Sequence, residues 1–124
     1  MQSKFSITID EATAGLRAAV VAARPKAVSV AVTDEAGVLL SFERMDGARP
    51  HTVELALQKA RTSAMVGAPS AAIQAAGHRD ISGGGIPVMS NGACVGAIGV
   101  SGAQADEDVR IALAGVAAVL AASD

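Results

Sequence analysis

The stretch RMDGARPH places Arg44, Asp46, Arg49 and His51 around one Gly/Pro corner, and Lys59 and Arg61 follow on the segment it leads into. In a chain with only 18% charged residues this is a concentration of ionisable groups. Arg44 and Asp46 are two apart, so on an extended chain they share a side. Gly47 lets the chain turn away, Pro50 fixes entry to a helix, and Thr52 is placed to cap it. The first amides of such a helix point into the corner and can hold an anion. Lys59 stands about two turns further on, roughly 10 Å along the axis. One reading is a carboxylate-binding or acid–base pocket with Asp46, His51 and Lys59 as candidate catalytic groups. The other is an Arg44–Asp46 pair that closes a turn, with Arg49 and Arg61 solvated.

The remaining chemistry-bearing residues are few. His51 and His78 are the only histidines. Either can ligate a metal or haem iron, or act as a base near neutral pH. No third ligand at a recognisable spacing makes a zinc motif of them. Gly83-Gly84-Gly85 runs into Ile86-Pro87, so it is neither a P-loop nor a dinucleotide fingerprint. Three glycines still let backbone amides approach a ligand closely. Gly99-Val100-Ser101-Gly102 forms a second such corner, where the Ser101 hydroxyl and free amides can hold a carboxylate or simply cap the next helix. Cys94 is the single cysteine, so no internal disulfide forms; between Ala93 and Val95 it reads as a buried, inert thiol.

These groups need positioning elements. Thr8 and Glu11 have capping-box spacing, and Ala12, Leu16, Ala19, Val20 and Ala23 then recur with helical period up to Pro25. Two β-rich runs, 28–33 and 38–43, flank Asp34-Glu35-Ala36-Gly37 as a hairpin. Val53, Ala56, Leu57, Ala60 and Ala64 form the stripe of a second helix, ended by Gly67 and Pro69. Segment 70–82 reads as a short helix or an ordered loop. A second hairpin joins 86–90 to 93–100 through Asn91-Gly92. The last helix, 105–122, opens with Asp106, Glu107 and Asp108, which suit the positive end of its dipole, and shows Val109, Leu113, Val116, Ala117 and Leu120 as its stripe. Hairpins this short exclude parallel crossovers, so the class is α+β with helices on an antiparallel sheet.

The 124 residues fit one domain, 1–124. A net charge of −2 argues against a nucleic-acid binder, and two Phe with no Tyr or Trp leave no base-stacking surface. Hydrophobic residues reach 51%, almost all small aliphatics, which points to self-association. The N-terminus lacks a signal-peptide core and no apolar run spans a bilayer, so neither membrane nor secretion is expected and the cytoplasm is the simplest location.

The blocks VSVAVTDEAGVLLSFERMDGA, ALQKARTSA and GGGIPVMSNGACVGAIGVSGA, followed by an acidic helix start, resemble the GlcG/HbpS family. This haem-degrading domain family includes the C-terminal domain of PduO. The likeness runs from about Thr8 to Leu120. It implies a profilin-like fold with a central antiparallel sheet flanked by helices, and homo-oligomers from dimer to octamer. It also implies a small-molecule ligand, haem or a related tetrapyrrole being the best named, while many members have no known activity. The alternative is an enzyme moving a proton on a small carboxylate-bearing metabolite. By position, the resemblance places Arg44, Asp46, Gly47, Lys59, Gly84, Gly85, Pro87 and Ser101 along a cleft between sheet and helix. It leaves His51 as the candidate iron ligand. Two departures are Ser63, where Ala is common, and a shorter run before GGGIP.

Overall fold

In the computed structural model, residues 5–78 and 80–123 are described; the residues outside them include 1–4, which open the segment read for a leader, and one position of segment 70–82. The order is α1 (Ile9–Ala23), β1 (Ser29–Asp34), β2 (Leu39–Arg44), α2 (His51–Val66), α3 (Ser70–Ala75), β3 (Gly85–Ser90), β4 (Ala93–Ser101) and α4 (Ala105–Ala122). The sheet runs β2-β1-β4-β3 and every pairing is antiparallel. This is the α+β class that the short hairpins require. No helix among the described residues is long and apolar enough to cross a membrane.

Local sequence explains the elements. Thr8 caps α1: the Glu11 amide donates to Thr8 Oγ1 at 3.1 Å, and the Thr8 amide donates to Glu11 Oε1 at 2.8 Å. In the first hairpin, Asp34 Oδ1 accepts from the amides of Ala36 and Val38, both at 2.9 Å, and Gly37 takes φ +79°. Asn91 (φ 53°) and Gly92 (φ 80°) turn the second hairpin in the left-handed region that Asn-Gly tolerates. Within segment 70–82 the short helix forms, as α3. Ser70 pins it by donating to the Ser82 carbonyl at 2.6 Å and accepting from the Gly85 amide at 2.8 Å.

Two helical layers sandwich the sheet. On one face α1 and α4 cover Val28, Val30, Val32, Ile98 and Val100. On the other, α2 lies on a cross-strand row in which Phe42 faces Ala31, Ala31 faces Gly99, and Gly99 faces Gly85. The glycines let the helix sink onto bare backbone. A Cβ on Gly99 would run into the Ala56 carbonyl oxygen and lie 2.5 Å from the Ala60 nitrogen. One on Gly85 would strike the Lys59 carbonyl oxygen.

Three details differ from the sequence reading. Thr52 is not the cap of α2. The helix already begins at His51, and Thr52 Oγ1 donates to the Arg49 carbonyl at 2.6 Å while meeting Ser29 Oγ at 2.9 Å. The buried stripe of α4 is Asp108, Ile111, Ala112, Gly115 and Val119, whereas Leu113 and Leu120 lie off that stripe and stay exposed. Cys94 is only half-buried, near the turn end of β4, with its thiol directed at the Gly96 carbonyl.

Candidate functional site

The chemistry gathers where β4 ends and α2 and α4 begin. A cleft of about 800 Å³ opens there, with Lys26, Arg49, His51, Lys59, Ser101 and Asp108 in its lining. Two helix N-termini and the turns after β2 and β4 converge on it, so its walls carry backbone amides as well as cations.

Lys59 stands in phase with the buried stripe of α2: Thr52, Ala56, Ala60 and Ser63 lie on the same side. Its side chain is 3% exposed and passes the end of the sheet towards the opposite layer. The ammonium donates to the Val100 carbonyl at 2.9 Å and to Asp108 Oδ2 at 3.3 Å. Gly84 makes the room: a Cβ there would lie 3.1 Å from Lys59 Nζ and 3.0 Å from Asp108 Cβ. Asp108, also buried, accepts from the Ala103 amide on Oδ1 at 3.0 Å.

Burial sets the protonation chemistry. It lowers the Lys59 ammonium below the usual lysine range, and the Asp108 charge and hydrogen bond oppose that only in part. It raises the Asp108 carboxyl, against the pull of Lys59 and the Ala103 amide. Both shifts run towards the neutral forms, since each ion loses hydration in the interior. At the mouth, exposed Lys26 pairs with Glu107 at 2.5 Å, and that hydrogen bond leads the causes holding the Glu107 carboxyl down.

Of the residues singled out in the sequence, Gly47, His51, Lys59 and Ser101 meet in this cleft. His51, the first residue of α2, is exposed at its rim. Arg44, Asp46, Gly84, Gly85 and Pro87 are outside its lining. Arg44 Nε donates to the Ala48 carbonyl at 3.0 Å and closes the corner, and Asp46 is exposed beside it. Gly84 and Gly85 act from beneath, as the bare backbone against Lys59. Pro87 is buried in β3 opposite Ala97. His78 lies elsewhere, in an apolar groove beside α3 with Ile73 and Ile81.

Two sequence-level judgements change. Arg49 is not a bystander but part of the cleft. Lys59 finds its partner in Asp108. Asp108 was read as one of three acids serving the helix dipole. The missed signal was its phase: Asp108, Ile111, Ala112, Gly115 and Val119 are spaced as one helical stripe, while Asp106 is exposed. Among the described residues no three His, Cys, Asp or Glu side chains cluster to hold a bare metal ion.

Comparison with known proteins agrees with this architecture. The family model described as "Haem degrading protein HbpS-like" matches residues 7–117. Protein GlcG of Escherichia coli K12 is 36% identical over 85 residues, which is 60% of this chain and 63% of the relative. The chain thus matches just under two thirds of the length of that curated relative. A crystal structure of Klebsiella pneumoniae protein ORFY superposes with a TM-score of 0.89 at 26% identity, covering 98% of this chain and 95% of that one. A double mutant of Streptomyces reticuli HbpS gives 0.84 at 38% identity, covering 94% and 89%. A PduOC–haem complex also gives 0.84, covering 91% and 94%, but at 24% identity that likeness shows the fold alone.

Proposed function

The chain belongs to the HbpS-like family of haem-degrading proteins, and we propose that the cleft between the starts of α2 and α4 binds a small anionic ligand, best named as haem or a related tetrapyrrole. The observation that carries this is the exposed imidazole of His51 on the rim of an 800 Å³ cleft that also holds Arg49 and Lys26. The residues fit such a ligand. A bare metal ion needs three or four side-chain ligands, which are not clustered among the described residues. A haem brings its own ring nitrogens, so one side chain such as His51 would suffice to hold it. Arg49 and Lys26 suit its carboxylates, and Leu55, Ala27, Ala103 and Ala105 supply apolar wall. When bound, haem would supply an iron centre whose chemistry is its own; His51 would hold and orient it. The family's description supports the same ligand class.

Haemin titration tests the proposal directly. The expected result is a shifted Soret band saturating at a fixed stoichiometry and lost in His51→Ala. An unchanged haemin spectrum at stoichiometric protein would sink it.

A second reading has its own observation. The buried Lys59–Asp108 pair lines the cleft with both members pushed towards neutrality, as a proton-transfer site on a small carboxylate-bearing metabolite requires. Lys59 and Asp108 then move the proton, Arg49 holds the carboxylate, and Asp46, exposed and outside the cleft, takes no part. Turnover that survives Asp46→Asn but not Asp108→Asn is the expected pattern. We also read the chain as one domain that works as a homo-oligomer, dimer to octamer. Exposed Met65 and Val66 on α2, and Val38 and Leu39 at the edge strand, support that. A monomer mass by light scattering at micromolar concentration would overturn it.

A further inference from the structure

We infer that Lys59 is a nucleophile, forming a covalent imine with a small oxo acid bound in the cleft. The inference rests on this cleft being a ligand site and adds what the ligand does there.

The starting point is the position of Lys59. It fills a place in the buried stripe of α2 that an apolar side chain would fill at no electrostatic cost. Replacing a buried ion pair by apolar residues is often neutral or stabilising, so packing alone does not call for an amine here. The amine is also not sealed away: Lys59 and Asp108 both line the cleft. A desolvated lysine beside a proton acceptor is the arrangement used by Schiff-base enzymes. Burial lowers the ammonium and raises the carboxyl, so both changes favour moving the proton from nitrogen to oxygen. The groups facing the amine are Asp108 from α4 and, across the cleft, Lys26, Arg49 and His51.

The rest of the lining selects the substrate class. Arg49 is a cation at the mouth, suited to a carboxylate, beside Lys26 in its pair with Glu107. Ser101 is 4% exposed and lines the cleft; its hydroxyl has no hydrogen-bond partner among the described residues, so it is available to a ligand carbonyl. A carboxylate at the mouth and a carbonyl at the floor describe a small oxo acid.

The step balances. Asp108 takes a proton from the ammonium. The amine lone pair attacks the carbonyl carbon, and the carbonyl oxygen takes up a proton to give the carbinolamine. Nitrogen then loses its proton, a protonated hydroxyl departs as water, and a carbon–nitrogen double bond remains. The sum is amine plus carbonyl to imine plus water, with no oxidant or reductant.

The probe is pyruvate with sodium cyanoborohydride, read by intact mass and peptide mapping of the full chain. The competitors are the N-terminal amine, Lys4 and exposed Lys26, the only other lysines. We expect one carboxyethyl group, on Lys59 in preference to exposed Lys26, and much less with acetone, which lacks the carboxylate. Lys59→Met should abolish that adduct. Pyruvate binding without an adduct on Lys59, or an adduct spread over Lys26 and the N-terminus, overturns the inference and leaves the cleft as a binding site. Absence of binding by pyruvate and haemin alike overturns both.

Discussion

Lys59→Met removes one ion of a buried pair at nearly constant length, so its cost can be worked from the contacts. Breaking a buried pair by deleting one partner costs about 3–5 kcal/mol, because the other charge is left without compensation. Asp108 keeps the Ala103 amide on Oδ1 at 3.0 Å, which places the loss near the lower end, about 3 kcal/mol. Against a typical total of about 5–15 kcal/mol, that is a large fraction. Urea unfolding followed by circular dichroism should show it as a midpoint lower by about 1–3 M, with slope unchanged. The pH dependence has a definite sign. The Asp108 carboxyl is already raised by burial, and without Lys59 it loses the charge that pulls it down. A carboxyl raised on folding binds more protons folded than unfolded, so its contribution is present below the ordinary carboxylate range and lost as pH climbs through the raised value. The gap between variant and wild type should therefore widen from acid to neutral pH. Lys26, Arg49, His51 and Glu107 around the cleft are common to both proteins and cancel to first order. Lys59→Met/Asp108→Leu should recover most of the loss, since no buried charge remains. A single variant within about 1 kcal/mol of wild type at neutral pH, or a double variant no better than the single, would refute the reasoning.

Gly99→Ala should destabilise by at least about 2 kcal/mol, or prevent accumulation of folded protein, because the new methyl meets the Ala56 carbonyl and the Ala60 nitrogen, neither of which can rotate away. Gly67→Ala is the control: its Cβ meets open space, and only the φ of +74° resists it, at about 1 kcal/mol. Thr8→Ala removes the capping hydroxyl of α1 and should cost about 1 kcal/mol, read as a thermal midpoint lower by a few degrees. Thr52→Val strips the partner of Ser29, so an unfolding loss of about 1–3 kcal/mol is expected, and near-neutral behaviour would mean the pair contributes little.

The fold was legible because its signals are local. A capping box, an Asp-x-x-Gly hairpin and an Asn-Gly hairpin each act within a few residues, and all three appear where the residues require them. Where local and tertiary demands differ, the sequence misleads. Leu113 and Leu120 look like the buried face of α4, yet the crossing with α1 is close enough that a Cβ on Gly15 would lie 2.5 Å from Val119. Gly15 and Gly115 face each other there, and either Cβ would strike the opposite helix or Ile98. The site was half legible. Lys59, His51 and Ser101 could be named from their corners, but Asp108 is 49 positions from Lys59 and on the opposite layer, so no spacing rule links them. What does link them is phase: each is a charge set into an otherwise buried helical stripe.

That coincidence of phase has a structural cause on the other side of the sheet. Two layers packed through full side chains, as in stacked sheets, stand about 10 Å apart. Here the row Ala31, Gly99 and Gly85 removes one of those layers, and α2 rests almost on backbone. Only from that depth can the Lys59 stem pass the end of β4, with Gly84 leaving space for its ammonium, and reach a carboxylate on α4. The glycines that looked like ligand-binding loops in the sequence therefore act first as the means of sinking a lysine to the cleft floor. Restoring a side chain to that row should lift α2 and withdraw Lys59 from Asp108. Gly85→Ala is expected to weaken ligand chemistry at the cleft although Gly85 is outside its lining, and a Gly85→Ala protein that folds with unaltered reactivity at Lys59 would break this link between sheet and site.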